Sequence, residues 1–200
     1  MTMYPYNADS LPCECLIDEG LYIGDFKLAL RVLSSDDHLG VTHMISLVSS
    51  SILSSMCSES SQKLRPPRKN QLTEPLFETA KRGSLLSRMT ISLADTPEED
   101  ISQIMLPCFE FIDEGRKHGT VLVHCMAGRS RSAAIVIGYL MWSMGLSLEH
   151  AMGAVNRRYR RASPNSGYMK QLERLESELC RSQRAQNEIH DHRHGLVVAC

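Results

Sequence analysis

An α/β domain, with a central mixed and partly parallel sheet flanked by helices, is the fold class this sequence predicts. Two patterns predict it. Short runs rich in branched apolar residues alternate with stretches whose apolar positions recur every three or four residues, as strands do with amphipathic helices. Helical periodicity then continues to the C-terminal part without further strands. With 200 residues, 42% of them hydrophobic and 22% charged, the chain can bury one core of ordinary size.

Cys15-Leu16-Ile17 and Leu21-Tyr22-Ile23-Gly24 read as two short strands around a turn at Gly20. Asp25 then opens a helix with Phe26, Leu30 and Leu33 as its apolar positions. Residues 41–48 form a further strand. Eight of the thirteen residues 49–61 are serine, and Lys63-Leu64-Arg65-Pro66-Pro67-Arg68-Lys69 is basic and broken by proline. Residues 49 to about 85 are therefore expected to form a long surface loop, with partner docking or phosphorylation as the alternative use.

Met89-Thr90-Ile91-Ser92-Leu93 alternates as a strand should. Thr96-Pro97-Glu98-Glu99 has the form of a helix start, with Thr96 as N-cap, Pro97 at the first helical position and Glu99 closing a capping box. The helix so opened carries Ile101, Ile104, Met105, Cys108 and Ile112 on one face, is expected to kink at Pro107, and ends at Gly119. Val121-Leu122-Val123 reads as a central strand buried on both faces. Residues 133–142 are apolar almost all round, as in a helix packed inside the domain. Leu148, Met152, Val155 and Tyr159 make one helical stripe, and Tyr168, Leu172, Leu175 and Leu179 another. From about Gln183 the stripe stops, and the tail is expected to lack fixed structure. His190, His192 and His194 within it read more simply as solvated side chains than as metal ligands.

Charge narrows the partners. The 22 basic residues against 23 acidic ones give a net charge of −1, so no global field favours nucleic acid or an anionic membrane, and neither partner is expected. No apolar run approaches the ~20 residues that span a bilayer. The seven cysteines are odd in number and lack paired C-x-x-C units, and residues 1–10 lack the basic start and apolar run of a secretory signal. A reducing compartment, cytoplasmic and also nuclear, is the expectation. Cys13 and Cys15 then read as plain strand cysteines, and nothing specifies an oligomeric state.

The chemistry concentrates in His124-Cys125-Met126-Ala127-Gly128-Arg129-Ser130-Arg131-Ser132. A buried strand runs into this loop and a buried helix leaves it. Helix N-termini collect unpaired N–H groups and a positive dipole end, which favour both a bound phosphate and a thiolate nucleophile. Gly128 lets the backbone curl, and the Arg131 guanidinium is a planar fork able to grip two phosphate oxygens. Cys125 alone reads as a buried strand-end cysteine and Arg131 alone as a surface cation. Together, with Gly128 between them, they read as a catalytic phosphate loop.

This segment resembles the H-C-x5-R signature of the cysteine-dependent phosphatases, and within them the dual-specificity protein phosphatases, of the small atypical kind. The resemblance runs from about Cys13 to Cys180. It includes Leu21-Tyr22-Ile23-Gly24, Ile91-Ser92-Leu93-Ala94-Asp95 and Ser163-Pro164-Asn165-Ser166-Gly167-Tyr168, while Gly138-Tyr139-Leu140-Met141 departs by one small residue from the usual Ala-Tyr-Leu-Met. The resemblance implies a catalytic domain at residues 12–182 carrying the insertion, between tails at 1–11 and 183–200.

It also implies the roles. Cys125 is the nucleophile; Arg131 and the amides of Met126, Ala127, Gly128, Arg129 and Ser130 hold the phosphate; Asp95 is the general acid. Ser132 assists breakdown of the phosphocysteine, His124 orients the loop, and Asn165 braces it. Glu98, Glu99 and Asp100 are alternative acids, better read as charges at a helix start. No cofactor or metal is implied. The substrate is a phosphotyrosine or phosphoserine/threonine protein, with a kinase as one candidate. The alternatives are a pseudophosphatase that binds phosphoresidues without turnover, or a related enzyme acting on RNA 5′ ends or lipid phosphates. The cluster Arg157, Arg158, Arg160 and Arg161 reads first as a solvated helix end and second as an attractor for an acidic partner.

Overall fold

The computed structural model describes residues 11–12, 15–35, 38–49, 76–79 and 87–195, with side chains to residue 185 except at 38 and 76–79. Strands β1 (Leu16–Asp18) and β2 (Leu21–Gly24) are followed by helix α1 (Phe26–Ser34), strand β3 (His43–Val48), strand β4 (Leu76–Thr79) and strand β5 (Ser87–Ser92). Helix α2 (Ser102–His118), strand β6 (Val121–Cys125), and helices α3 (Arg131–Met144), α4 (Leu148–Arg158) and α5 (Ser166–Gly195) complete the order.

The six strands form one sheet in the order β1-β2-β6-β3-β5-β4. Its four inner strands, β2, β6, β3 and β5, are parallel, and the two edge strands pair antiparallel to them. Strand β6 lies between β2 and β3 with all five residues buried, as its unbroken apolar run requires. Its alternating side chains divide the core. Leu122 and His124 face α1, where a Cβ on Gly24 would meet Leu28 and Leu122 and the Phe26 ring lies 6.5 Å from His124. Val121 faces α2, closing on Gly115, and Cys125 turns toward Ser132 of α3. Helix α3 is buried from Arg131 to Met141 and packs against α2, α4 and α5.

Parallel strands send their C-terminal ends to one edge, where ligands gather in open α/β sheets. Strand β2 delivers Asp25 there, β5 leads to Asp95, and β6 ends at Cys125. The expected mixed, partly parallel sheet is thus found.

Several local expectations need correction. Asp25 does cap α1, accepting a hydrogen bond from the Leu28 amide at 3.0 Å, but the buried face is Leu28, Ala29 and Val32, and Leu30 is 47% exposed. Helix α2 starts at Ser102, not at Thr96; residues 96–98 form a turn instead. Gln171 of α5 accounts for the delay. Its Oε1 accepts from the Ile101 amide and its Nε2 donates to the Glu99 carbonyl, both at 2.8 Å, which holds this stretch out of the helix. Asp100 accepts from the Ser102 amide at 2.9 Å, and hydrogen bonds from the Ser102 side chain and backbone pull its carboxyl down. Asp100 is therefore a helix-start acceptor. Glu98 and Glu99 sit in or beside the turn, not in the first turn of a helix.

Helix α5 also runs on past Gln183 to Gly195, because Arg181, Gln183, Arg184 and Ala185 are good helix formers that propagate an established helix without burial. Within the expected loop at 49–85, Leu76–Thr79 is an edge strand; residues 50–75 and 80–86 lie outside the described residues. So do the side chains of His190, His192 and His194, and Cys13. Among the described residues, no helix is long and apolar enough to cross a membrane, and no cluster of three or more His, Cys, Asp or Glu is arranged to hold a metal ion.

Candidate active site

The loop from Cys125 to Arg131 is shaped by donors that come from outside it. The Met126 carbonyl accepts from the Phe26 amide at 3.2 Å, the Ala127 carbonyl from Arg161 Nη2 at 3.0 Å, and the Arg129 carbonyl from the Ser163 amide at 2.7 Å. In a trans peptide the N–H points opposite to its C=O. Drawing these three carbonyls outward turns the amides of Ala127, Gly128 and Ser130 the other way, into the concavity. Such converging amides at the head of α3 form an anion site.

Gly128 makes the curl possible. Its φ is +67°, and a Cβ would come within 2.8 Å of the Gly24 carbonyl oxygen and onto the Tyr159 hydroxyl. Gly128→Ala is expected to cost about 1–3 kcal/mol of stability and to lower phosphatase turnover at least about tenfold. Thermal unfolding and aryl phosphate hydrolysis check this; an unchanged variant would contradict the geometry.

Cys125 lies at the base of the loop, 1% exposed, with Sγ 3.3 Å from Ser132 Oγ. Arg131 is buried beside it. Its Nη1 donates to the Leu93 carbonyl at 3.1 Å, and its Nε faces Asp95 Oδ2 at 3.7 Å without a hydrogen bond. A buried donor left open in this way is available to an incoming oxygen. Both oxygens of Asp95 are engaged: Oδ1 accepts from Asn165 Nδ2 at 3.1 Å, and Oδ2 is the one paired with Arg131. Asn165 also caps α5, accepting from the Tyr168 amide at 3.0 Å, and its own amide donates to Ser130 Oγ at 3.1 Å. One residue thus fastens the loop carrying Asp95 to the loop carrying Cys125.

The same catalytic-domain pattern is met in other proteins. The family model described as "Dual specificity phosphatase, catalytic domain" matches residues 21–178. The chain belongs to the dual specificity phosphatase family. It is 31% identical over 177 residues to dual specificity protein phosphatase 1 of Arabidopsis thaliana, covering 87% of this chain and 73% of that one. It is 48% identical over 84 residues to dual specificity protein phosphatase 19 of Mus musculus, covering 42% and 38%. Among solved structures it is similar to the human tyrosine phosphatase-like serine/threonine/tyrosine-interacting protein, with a TM-score of 0.59 at 28% identity over 81% of this chain and 94% of that one.

In this dual specificity phosphatase every site residue expected from the sequence falls within one region. Cys125, Arg131, Ser132, Asp95 and Asn165 converge. His124 is one step behind, its Nε2 2.8 Å from Ser46 Oγ, which also accepts from Arg88 Nε at 3.2 Å. Burial, reinforced by Arg88, pushes His124 down to about 3 from the ordinary 6.5, so it is a neutral ring that holds shape.

That shift makes folding pH-dependent. The folded chain refuses a proton that the unfolded chain accepts below pH 6.5, so the stability present above 6.5 is lost as pH falls toward 3. Between pH 7 and pH 5 the loss from this group is about 2 kcal/mol. Urea unfolding at the two values measures it. His124→Gln should remove most of the difference, leaving a remainder from His43, which burial also pushes down.

Other contributors were not legible in the sequence. Arg161, grouped there with a solvated helix end, binds the Ala127 carbonyl and pairs with Asp25 at 3.3 Å. Tyr168 donates through its hydroxyl to the Ala94 carbonyl, next to Asp95; burial and then Asp95 push its phenol up, so it stays a donor. A Cβ on Gly167 would run into the Pro97 backbone, which explains a glycine at the close approach of α5 to the loop after Asp95.

Proposed function

We propose that this phosphatase domain hydrolyses phosphotyrosine and phosphoserine/threonine in proteins through a phosphocysteine intermediate, with Cys125, Arg131 and Asp95 in the three principal roles. The observation that carries the reading is the loop whose carbonyls are drawn outward around a cysteine, with a buried Arg131 donor open beside it. The Cys125 thiolate attacks phosphorus. As the bond to the substrate oxygen breaks, Asp95 gives that oxygen a proton, and Arg131 with the loop amides stabilises the equatorial oxygens. Water then attacks the phosphocysteine, Asp95 takes a proton from it, and the S–P bond breaks to release inorganic phosphate. The Ser132 hydroxyl is placed to stabilise the departing sulfur, and His124 and Asn165 act as positioning residues.

The presence of Cys125, Arg131, Asp95 and Ser132 together favours an enzyme over a pseudophosphatase. A phosphorylated kinase belongs to the candidate substrate class. Cytoplasm or nucleus fits the chemistry, because a reducing compartment keeps the Cys125 thiol available. Hydrolysis of a small aryl phosphate under reducing conditions across pH 5 to 8 tests activity, and phosphopeptides against triphosphorylated RNA and inositides test substrate class. Absence of turnover sinks the enzyme reading; preference for RNA or inositide sinks the protein-phosphatase reading.

A further inference from the structure

Between α4 and α5 the chain reads Arg160-Arg161-Ala162-Ser163-Pro164 and lies in no helix or strand. Ser163 is exposed there, and its hydroxyl takes part in no hydrogen bond among the described residues. The catalytic loop uses its backbone amide alone, which donates to the Arg129 carbonyl at 2.7 Å. Arg160 and Arg161, ahead of it, are exposed as well, while Ala162 is buried. A free surface hydroxyl with arginines before it and a proline directly after is what a serine kinase recognises when its groove carries acidic residues and a slot for proline. Pro164 also biases Ser163 toward the extended backbone in which a kinase takes its substrate.

We propose that Ser163 is a phosphorylation site through which a proline-directed, arginine-reading serine kinase turns this phosphatase down. The γ-phosphoryl group of a nucleoside triphosphate passes to Ser163 Oγ. The new O–P bond forms as the bond to the bridging oxygen breaks, the nucleoside diphosphate leaves with that electron pair, and the hydroxyl proton goes to the base of the kinase. The effect on turnover rests on the phosphatase reading; the modification itself does not.

The place of Ser163 gives its phosphate a reach that other surface sites lack. Residues 161–165 are fastened along the catalytic loop: Arg161 Nη2 holds the Ala127 carbonyl, the Ser163 amide holds the Arg129 carbonyl, and the Asn165 amide holds the Ser130 hydroxyl. A phosphoserine brings a charge of about −2 and three acceptor oxygens to the middle of that run. Arg161 is the guanidinium nearest to it in sequence, and its side chain is 56% exposed, so its bonds to Ala127 and Asp25 compete poorly with a dianion. Once Arg161 turns to the phosphate, the Ala127 carbonyl is freed and the Gly128 amide is no longer aimed into the loop. The added negative charge beside the loop also opposes an incoming phosphorylated substrate.

The test treats the Cys125→Ser chain, which cannot remove its own phosphate, with labelled ATP and a proline-directed kinase that reads arginine three residues ahead of the serine. Mass spectrometry of the digest is expected to place close to one phosphate per chain on Ser163, and Arg160→Gln should slow its incorporation about tenfold. With Cys125 intact and the kinase and ATP still present, aryl phosphate kcat/KM is expected to fall about tenfold as Ser163 fills. Ser163→Ala, compared with itself before and after kinase treatment, should not change. No incorporation at Ser163, incorporation indifferent to Arg160→Gln, or undiminished activity at full occupancy overturns the proposal. Absence of aryl phosphate turnover before treatment refutes the phosphatase reading instead. Incorporation into the Cys125→Ser chain then still decides whether Ser163 is a site.

Discussion

Replacing Cys125 with serine is expected to abolish turnover, by roughly 10⁵-fold or more, while phosphopeptide binding persists. The hydroxyl is a far weaker nucleophile than the thiolate, yet the anion site does not depend on the sulfur. The carbonyls of Met126, Ala127 and Arg129 are held outward by Phe26, Arg161 and Ser163, through hydrogen bonds that do not involve the Cys125 side chain. Arg131 is likewise anchored by the Leu93 carbonyl. Stopped turnover with retained binding in a titration with labelled phosphopeptide is the expected pair of results. Residual turnover near the unmodified rate would remove Cys125 from the mechanism.

Asp95→Asn is expected to separate substrates by leaving group. A phosphoserine peptide leaves as an alkoxide that must be protonated, so its turnover should fall about 10³-fold; an aryl phosphate with an acidic phenol should lose far less. The variant suits the question because asparagine keeps an oxygen to accept from Asn165 Nδ2, preserving the loop while removing the proton. Plotting log kcat against leaving-group pKa reads the result as a steeper slope. An equal loss across the series would mean that Asp95 supports structure and does not move the proton.

The core of this site was legible because its residues are contiguous. A buried strand, a glycine loop and a buried helix follow one another from Val121 to Met141, and local chemistry alone fixes what they become. What supports them was not legible, because each support joins residues distant in the chain. Arg161 reaches Ala127, Phe26 reaches Met126, Ser46 meets His124, and Tyr168 reaches Ala94. A side chain of ordinary type reveals such a role only after folding. The failed helix start at Thr96 has the same origin: a sound local capping signal is overridden by Gln171, seventy residues away from Ile101. On α1 the error was one of face, since Phe26, Leu30 and Leu33 are a plausible stripe until the sheet's position makes Leu28 and Val32 the inward pair.

The clasp made by Asn165 has a consequence for how this architecture can vary. The Asp95 loop and the Cys125 loop are joined from downstream, by Asn165 at the start of α5, and not by the length of chain that precedes either one. Insertions between β3 and β5, or a different edge strand beyond β5, can therefore accumulate without detuning the chemistry. The spacing of Asp95 and Cys125 is insulated from the part of the chain freest to diversify.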